Sequence, residues 1–178
     1  MTSPSQPVAS LASSPPVAPD GLPERRVCLF TLGGTRFAVD VRHTRELAMF
    51  QEITRVPGSP ASLVGVANLR GTVMPIVDIR RLLDLPAERT SGGVRTLVLR
   101  ADPLQAAVVV DAVLGLEPLD EIEPAPSGGL ADATSGRGRF TAGCVRWGAG
   151  SVSLLDAPKI LEALRPRQIP SGRGAVEG

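Results

Sequence analysis

One histidine, two cysteines and four aspartates that each close an apolar run are the residues of this chain that could do chemistry. His43 sits among Arg42, Thr44 and Arg45. Charged neighbours of that kind mark a solvated helix face rather than a catalytic pocket. Cys28 and Cys144 lie far apart and form no CxxC pair. With one His they fall short of the usual zinc ligand set. Cys28 lies inside Val27-Cys28-Leu29-Phe30, as a core thiol would, and both thiols are expected to be buried in a reducing compartment. No Gly-x-Ser-x-Gly elbow accompanies His43. Gly136-Arg137-Gly138 and Gly148-Ala149-Gly150 resemble fragments of phosphate loops, but neither completes Gly-x-Gly-x-x-Gly and no Gly-Lys-Ser/Thr follows. No catalytic, cofactor-binding or metal-binding residue is therefore assigned, and no cofactor is expected.

The aspartates recur in one setting. Phe37-Ala38-Val39-Asp40, Pro75-Ile76-Val77-Asp78, Val108-Val109-Val110-Asp111 and Ser153-Leu154-Leu155-Asp156 each end an apolar run in a carboxylate. A single one could be read as an acid or base. Four in equivalent settings are better explained as helix caps, which satisfy the free N–H groups of a first turn. Asp40 is assigned to a helix over Val41–Leu47 and Asp78 to one over Ile79–Leu83. Asp156 is assigned to a last helix with Pro158 in its first turn and Ile160, Leu161 and Leu164 facing inward.

The elements that would position these residues are mostly short strands. Val27–Leu32 and Thr35–Asp40 flank Gly33-Gly34, a two-residue hairpin signal. Gly65–Arg70 and Thr72–Asp78 flank Gly71, and Val94–Ala101 and Gln105–Asp111 flank Asp102-Pro103. Val113–Pro118 and Ser151–Leu155 complete the set. Many short strands between Gly and Pro turns predict a mainly β protein built of small barrels. Residues 1–24 are rich in Ser, Pro and Ala and are expected to form a disordered tail. Residues 25–165 are expected to be the folded part, with 166–178 a flexible C-terminal tail. The Pro/Gly-rich stretch 122–138 is expected to be a long surface loop.

Composition removes several function classes. Lys+Arg 19 against Asp+Glu 18, with aromatics at 3%, leaves neither a basic field nor a stacking platform for nucleic acid. The start of the chain has no cationic region followed by an apolar one, and the longest apolar run, 106–110, is too short for a bilayer. The expectation is a cytoplasmic protein without direct membrane insertion, meeting a membrane signal only through partners.

The strongest local signal runs from Pro57-Gly58-Ser59-Pro60 through Val64-Gly65-Val66-Ala67-Asn68-Leu69-Arg70-Gly71 to Val73-Met74-Pro75-Ile76-Val77-Asp78-Ile79-Arg80. In this order and spacing the set resembles the CheW family of chemotaxis coupling proteins. Ile79 stands where the family commonly has Leu. The resemblance extends upstream through Phe30-Thr31-Leu32-Gly33-Gly34 and downstream through Val108-Val109-Val110-Asp111 and Leu154-Leu155-Asp156, covering about 27–164. It implies two small SH3-like five-stranded β-barrels with short helices and a groove between them. It also implies a non-catalytic adaptor whose partners are a chemoreceptor cytoplasmic tip and the regulatory domain of a CheA-type histidine kinase. A CheW-like scaffold of a non-chemotactic array, serving surface motility or development, is the alternative. A small hydrolase or nucleotide-binding enzyme using Cys28 or Asp78 is a remote one.

The resemblance carries over to particular residues. Glu46 falls where the family has an acidic residue ending its first helix, and Arg70 at the arginine of Asn-Leu-Arg-Gly; the two look like the pair implicated in receptor contact. A merely structural ion pair is the competing reading, since surface pairs contribute little. Gly65 and Gly71 bound the strand, either for close approach of a partner backbone or for a turn or bulge. Asn68 and Leu69 are assigned to the same protein-binding surface.

Overall fold

Alternating or continuous burial, set by how many faces of a strand are covered, organises the chain into ten strands. The computed structural model describes residues 25–86, 93–119, 121–124 and 135–165; the expected tails 1–24 and 166–178 lie outside the described residues. The strands are β1 (Arg26–Leu32), β2 (Thr35–Asp40), β3 (Thr44–Phe50), β4 (Leu63–Leu69), β5 (Thr72–Val77), β6 (Val94–Ala101), β7 (Leu104–Val109), β8 (Ala112–Pro118), β9 (Thr141–Trp147) and β10 (Gly150–Leu155). Two α-helices, α1 (Gly136–Arg139) and α2 (Ala157–Ala163), and 3-10 turns at Val41–His43 and Arg81–Leu83 complete the described elements.

The strands form two five-stranded sheets. One, ordered β3-β6-β7-β5-β4, uses a continuous stretch of chain and is called here the continuous sheet. The other, ordered β8-β1-β2-β10-β9, draws on both ends of the folded part and is called the split sheet. Their pairings correspond strand for strand. Each has one parallel pair, β5 with β7 and β10 with β2, and the other pairs are antiparallel. The split sheet is the same layout with its chain order circularly shifted.

Each sheet curls over a small core of its own and shares a larger one. Phe50, Ala67, Met74, Ile76, Val98 and Ala107, from all five strands, fill the inside of the continuous sheet. Val27, Leu29, Ala38, Val145, Val152 and Leu154 do the same in the split sheet. The space between the sheets is filled by Phe30, Phe37, Val77, Leu97, Val108 and other buried side chains, with Ile160 and Leu161 of α2 among them. Covering both faces explains why β2, β6 and β7 each contain four successive buried residues instead of an alternation. The mainly β architecture expected from the strand and turn pattern, and the two small five-stranded units implied by the resemblance, are the ones observed.

Local expectations fared unevenly. The helix expected over Val41–Leu47 is not formed: the 3-10 turn stops at His43 and Thr44–Phe50 is a strand paired with β6. The reason is the period. Thr44, Ala48 and Phe50 are buried while Arg45 and Met49 are exposed, an alternation of two that pairing with β6 rewards and a helix would not. His43 is half-buried, with Nδ1 3.2 Å from the Arg100 carbonyl oxygen, rather than a fully solvated helix residue. Asp40 does cap the short turn, accepting from Arg42 N at 2.9 Å, and Asp156 caps α2 through Lys159 N at 3.0 Å. Asp78 accepts from Arg80 N at 2.9 Å, but the 3-10 turn begins only at Arg81 and its cap position is Arg80. The stretch expected as a loop over 122–138 contains a bridge at Glu123 with Cys144 and ends in α1; its middle, 125–134, lies outside the described residues. Gly136-Arg137-Gly138 is the body of α1, capped by Ser135 Oγ.

Candidate protein-binding surface

The turn between β4 and β5 is where the Asn-Leu-Arg-Gly segment lies, and each of its four residues has a distinct local task. Arg70 and Gly71 both take positive φ, 52° and 86°, as a tight two-residue hairpin demands. Gly71 adopts this freely, whereas for Arg70 the left-handed conformation costs about 1–2 kcal/mol. Asn68 holds the turn shut, its Oδ1 accepting from Gly71 N at 2.7 Å. Leu69 is half-buried against the core of the continuous sheet. Arg70 itself stays 63% exposed at the side chain and pairs with Glu46 at 2.8 Å.

Sheet order gives that pair its meaning. Glu46 is on β3 and Arg70 follows β4, and β3 and β4 are the two edges of the continuous sheet. The ion pair therefore ties the edges together across the seam at one end of the curled sheet. Glu46, whose side chain is only 18% exposed, is positioned by the bulge between Thr44 and Glu46. The structure thus brings Glu46 and Arg70 together, as expected, but from a strand and a turn instead of the end of a helix. Asn68, Leu69 and Gly71 lie beside them. Gly65 does not join this rim. It is buried, and a Cβ there would stand 2.5 Å from the Thr54 carbonyl oxygen. Its neighbour Val66 exchanges both backbone hydrogen bonds with Thr54 at 2.8 Å, so the close approach at Gly65 is to this chain's own backbone.

A second set of charges lies beneath the surface. Arg80 is 1% exposed, yet it carries a guanidinium. It pairs with Asp78 at 2.9 Å and Asp111 at 2.5 Å. Burial works to lower its pKa, but the two carboxylates outweigh that and raise it, so the group stays charged. Asp111 also accepts from Gly34 N at 3.3 Å in the β1–β2 turn, and its carbonyl accepts from Arg95 at 2.7 Å. The cluster fastens the continuous sheet to the split one. Asp40 occupies the corresponding place between β2 and β3. Burial pushes its carboxyl upward, but hydrogen bonds from Arg42 and Arg25 prevail and hold it below the ordinary carboxylate range. The role of Arg80 was not singled out from sequence. The signal was present: an arginine two residues after a strand-ending aspartate, between the apolar Ile76-Val77 and Leu82-Leu83.

Neither residue proposed for enzymatic chemistry is poised for it. Both cysteines are buried and free, and burial pushes the Cys28 thiol up to about 11, which suppresses the thiolate. Asp78 is committed to Arg80.

The model of the CheW-like domain matches residues 26–165, nearly all of the described chain. This chain belongs to the CheW-like family. Protein FrzA of Myxococcus xanthus is 30% identical over 155 residues, covering 86% of this chain and 95% of that protein. The chemotaxis protein CheW of Bacillus subtilis is 30% identical over 105 residues, 58% of this chain and 67% of its own length. CheW of Klebsiella aerogenes is 28% identical over 137 residues, 76% of this chain and 80% of that protein. The fold matches the crystal structure of the scaffolding protein TtCheW from Thermoanaerobacter tengcongensis with a TM-score of 0.64 at 24% identity, over 74% of this chain and 88% of that one. Membership makes the chain a coupling adaptor of the chemotaxis type, a protein whose work is binding. Among the described residues no helix is long and apolar enough to cross a membrane.

Proposed function

We propose that this CheW-like chain is a non-catalytic, cytoplasmic adaptor that holds a chemoreceptor cytoplasmic tip and the regulatory domain of a CheA-type histidine kinase at the same time, reaching membrane arrays through those partners. We further propose that the rim formed by Glu46, Asn68, Leu69, Arg70 and Gly71 is the receptor side, with Gly65 serving the strand packing behind it and not the contact itself. The observation that carries the assignment is the state of Arg70. Its guanidinium is largely exposed, it stands on a turn that only a strained backbone can make, and one edge of it is anchored by Glu46 at 2.8 Å. Strain of this kind persists at binding sites because the surrounding structure enforces it. The anchored fork keeps donors free for a carboxylate or carbonyl of the partner, with little side-chain entropy left to lose.

Arg70→Ala is expected to weaken binding to a receptor fragment by about 1–3 kcal/mol, the range for charge-assisted contacts, and to leave kinase-domain binding intact. Separate titrations of each partner test this. Equal weakening toward both, with unchanged folding, would refute the assignment. The exchanged pair Glu46→Arg with Arg70→Glu should recover part of the loss if the two act as a pair with each other, and none of it if each meets its own partner. A second reading, a CheW-like scaffold of a non-chemotactic array, is favoured by the extent of the match to FrzA, a relative not named for chemotaxis. Identification of the co-purifying kinase and receptor from the native cell separates the two.

A further inference from the structure

We infer that the open end of the split sheet is a second docking surface, separate from the Glu46–Arg70 rim, and that its occupant is an acidic, carboxylate-rich segment of a protein partner. The groove there measures about 1060 Å³ and is walled by the β1–β2 hairpin on one side and the β9–β10 hairpin on the other. That is room for a short peptide rather than for a single ion. Among the described residues its lining includes two guanidinium groups, Arg36 and Arg137, and three hydroxyls, Thr31, Thr35 and Ser151, and no carboxylate; Asp111 stands beside it, accepting from the lining residue Gly34 at 3.3 Å, and is paired with Arg80. Among the described residues no carboxylate forms a salt bridge with either arginine.

The two arginines are held in place by aromatic rings instead of acids. Arg36 lies over the Trp147 ring at 5.1 Å and Arg137 over the Phe37 ring at 5.7 Å. Stacking occupies the face of a guanidinium and leaves its in-plane N–H donors available. An arginine fixed in that way is pre-organised for bidentate capture of a carboxylate, because the ordering cost is already met within the protein. The small residues Gly148, Ala149 and Gly150 keep the groove mouth clear beside Trp147. In the corresponding hairpin of the continuous sheet Arg70 is paired with Glu46 at 2.8 Å, whereas Arg36 and Arg137 have no acidic partner among the described residues.

Trp147 is the only tryptophan of the chain, so its fluorescence reports on this groove directly. The full-length protein is titrated with an Asp/Glu-rich decapeptide and, in parallel, with a Lys-rich decapeptide and a phosphoserine peptide of matched length. The acidic peptide should shift Trp147 emission saturably and the Lys-rich one should not. Affinity should fall as salt is raised. It should also fall roughly tenfold or more in each of Arg36→Gln and Arg137→Gln, as expected for loss of a charge-assisted contact. Arg55→Gln, at an exposed arginine outside the groove lining, should bind the acidic peptide as the parent does. A flat titration, equal binding by the Arg36→Gln/Arg137→Gln double variant of unchanged melting temperature, or binding of the phosphoserine peptide alone would each overturn the inference.

Discussion

The continuous and split sheets share one strand layout, and their differences show which features the fold requires and which serve binding. Shared features recur at matching places. Gly65 in β4 meets the Thr54 carbonyl, with Val66 bridged to Thr54. Gly143 in β9 meets the Glu123 carbonyl at 2.8 Å from where its Cβ would be, with Cys144 bridged to Glu123. Asp40 and Asp111 both stand where the chain crosses from one sheet to the other. The hairpins at one end do not match. One presents Arg70 clamped to Glu46 on a strained turn. The other is Gly148-Ala149, beside an arginine stacked on Trp147. Repeated features belong to the architecture, and those that occur in one sheet only are where recognition is to be sought.

The severest way to break the comparison is at the joint both sheets use. Arg80→Ala leaves Asp78 and Asp111 without their buried partner, and a loss of about 3–5 kcal/mol in denaturant unfolding is expected. Because the joint is shared, the transition should remain single; two separated transitions would show that the sheets fold as independent units. Next come the matched glycines. Gly65→Ala and Gly143→Ala each drive a Cβ against a backbone carbonyl, and each should destabilise by about 1–3 kcal/mol. A large effect at one and none at the other would dissolve the correspondence between β4 and β9.

Acid should act through Asp40 more gently. Its folded pKa is lowered, so its contribution is complete above the unfolded carboxylate value of about 3.9 and is lost as pH falls through the lowered folded value. Melting temperature followed from pH 7 to pH 2 should fall less steeply for Asp40→Asn than for the parent. The smallest effect is expected at the binding rim. Arg70→Gly loses a surface ion pair but relieves left-handed strain, so stability should change by less than about 1 kcal/mol while receptor binding drops. A loss as large as that of Gly65→Ala would make the Glu46–Arg70 pair a structural clasp instead.

Much of this was legible in the sequence because it is local. The Gly33-Gly34 and Gly71 turns, the capping of α2 by Asp156 and the family segment from Pro57 to Arg80 are all written in short windows. What could not be read depends on distant pairing. β3 looked helical because Asp40 begins a turn, and only β6, far along the chain, makes Thr44–Phe50 a strand. β9 was missed because its Gly143 and Cys144 are explained by Glu123 across a long connection. The site was legible as residue types but not as geometry. Glu46 and Arg70 were paired through the family resemblance, while the reason they meet, two edges of one curled sheet, exists only in three dimensions. Gly65 shows the same limit, since a glycine that admits its own chain's backbone cannot be told in sequence from one that admits a partner's.

The order of strands in the split sheet also bears on how the chain is made. On the ribosome, the β1–β2 hairpin emerges first, yet β8, β9 and β10 follow only after every strand of the continuous sheet has been translated. The nascent hairpin must therefore wait with both long edges unpaired, the condition under which strands recruit neighbours from other chains. The continuous sheet can close in the meantime, and the growing chain then returns to complete a structure begun at its other end.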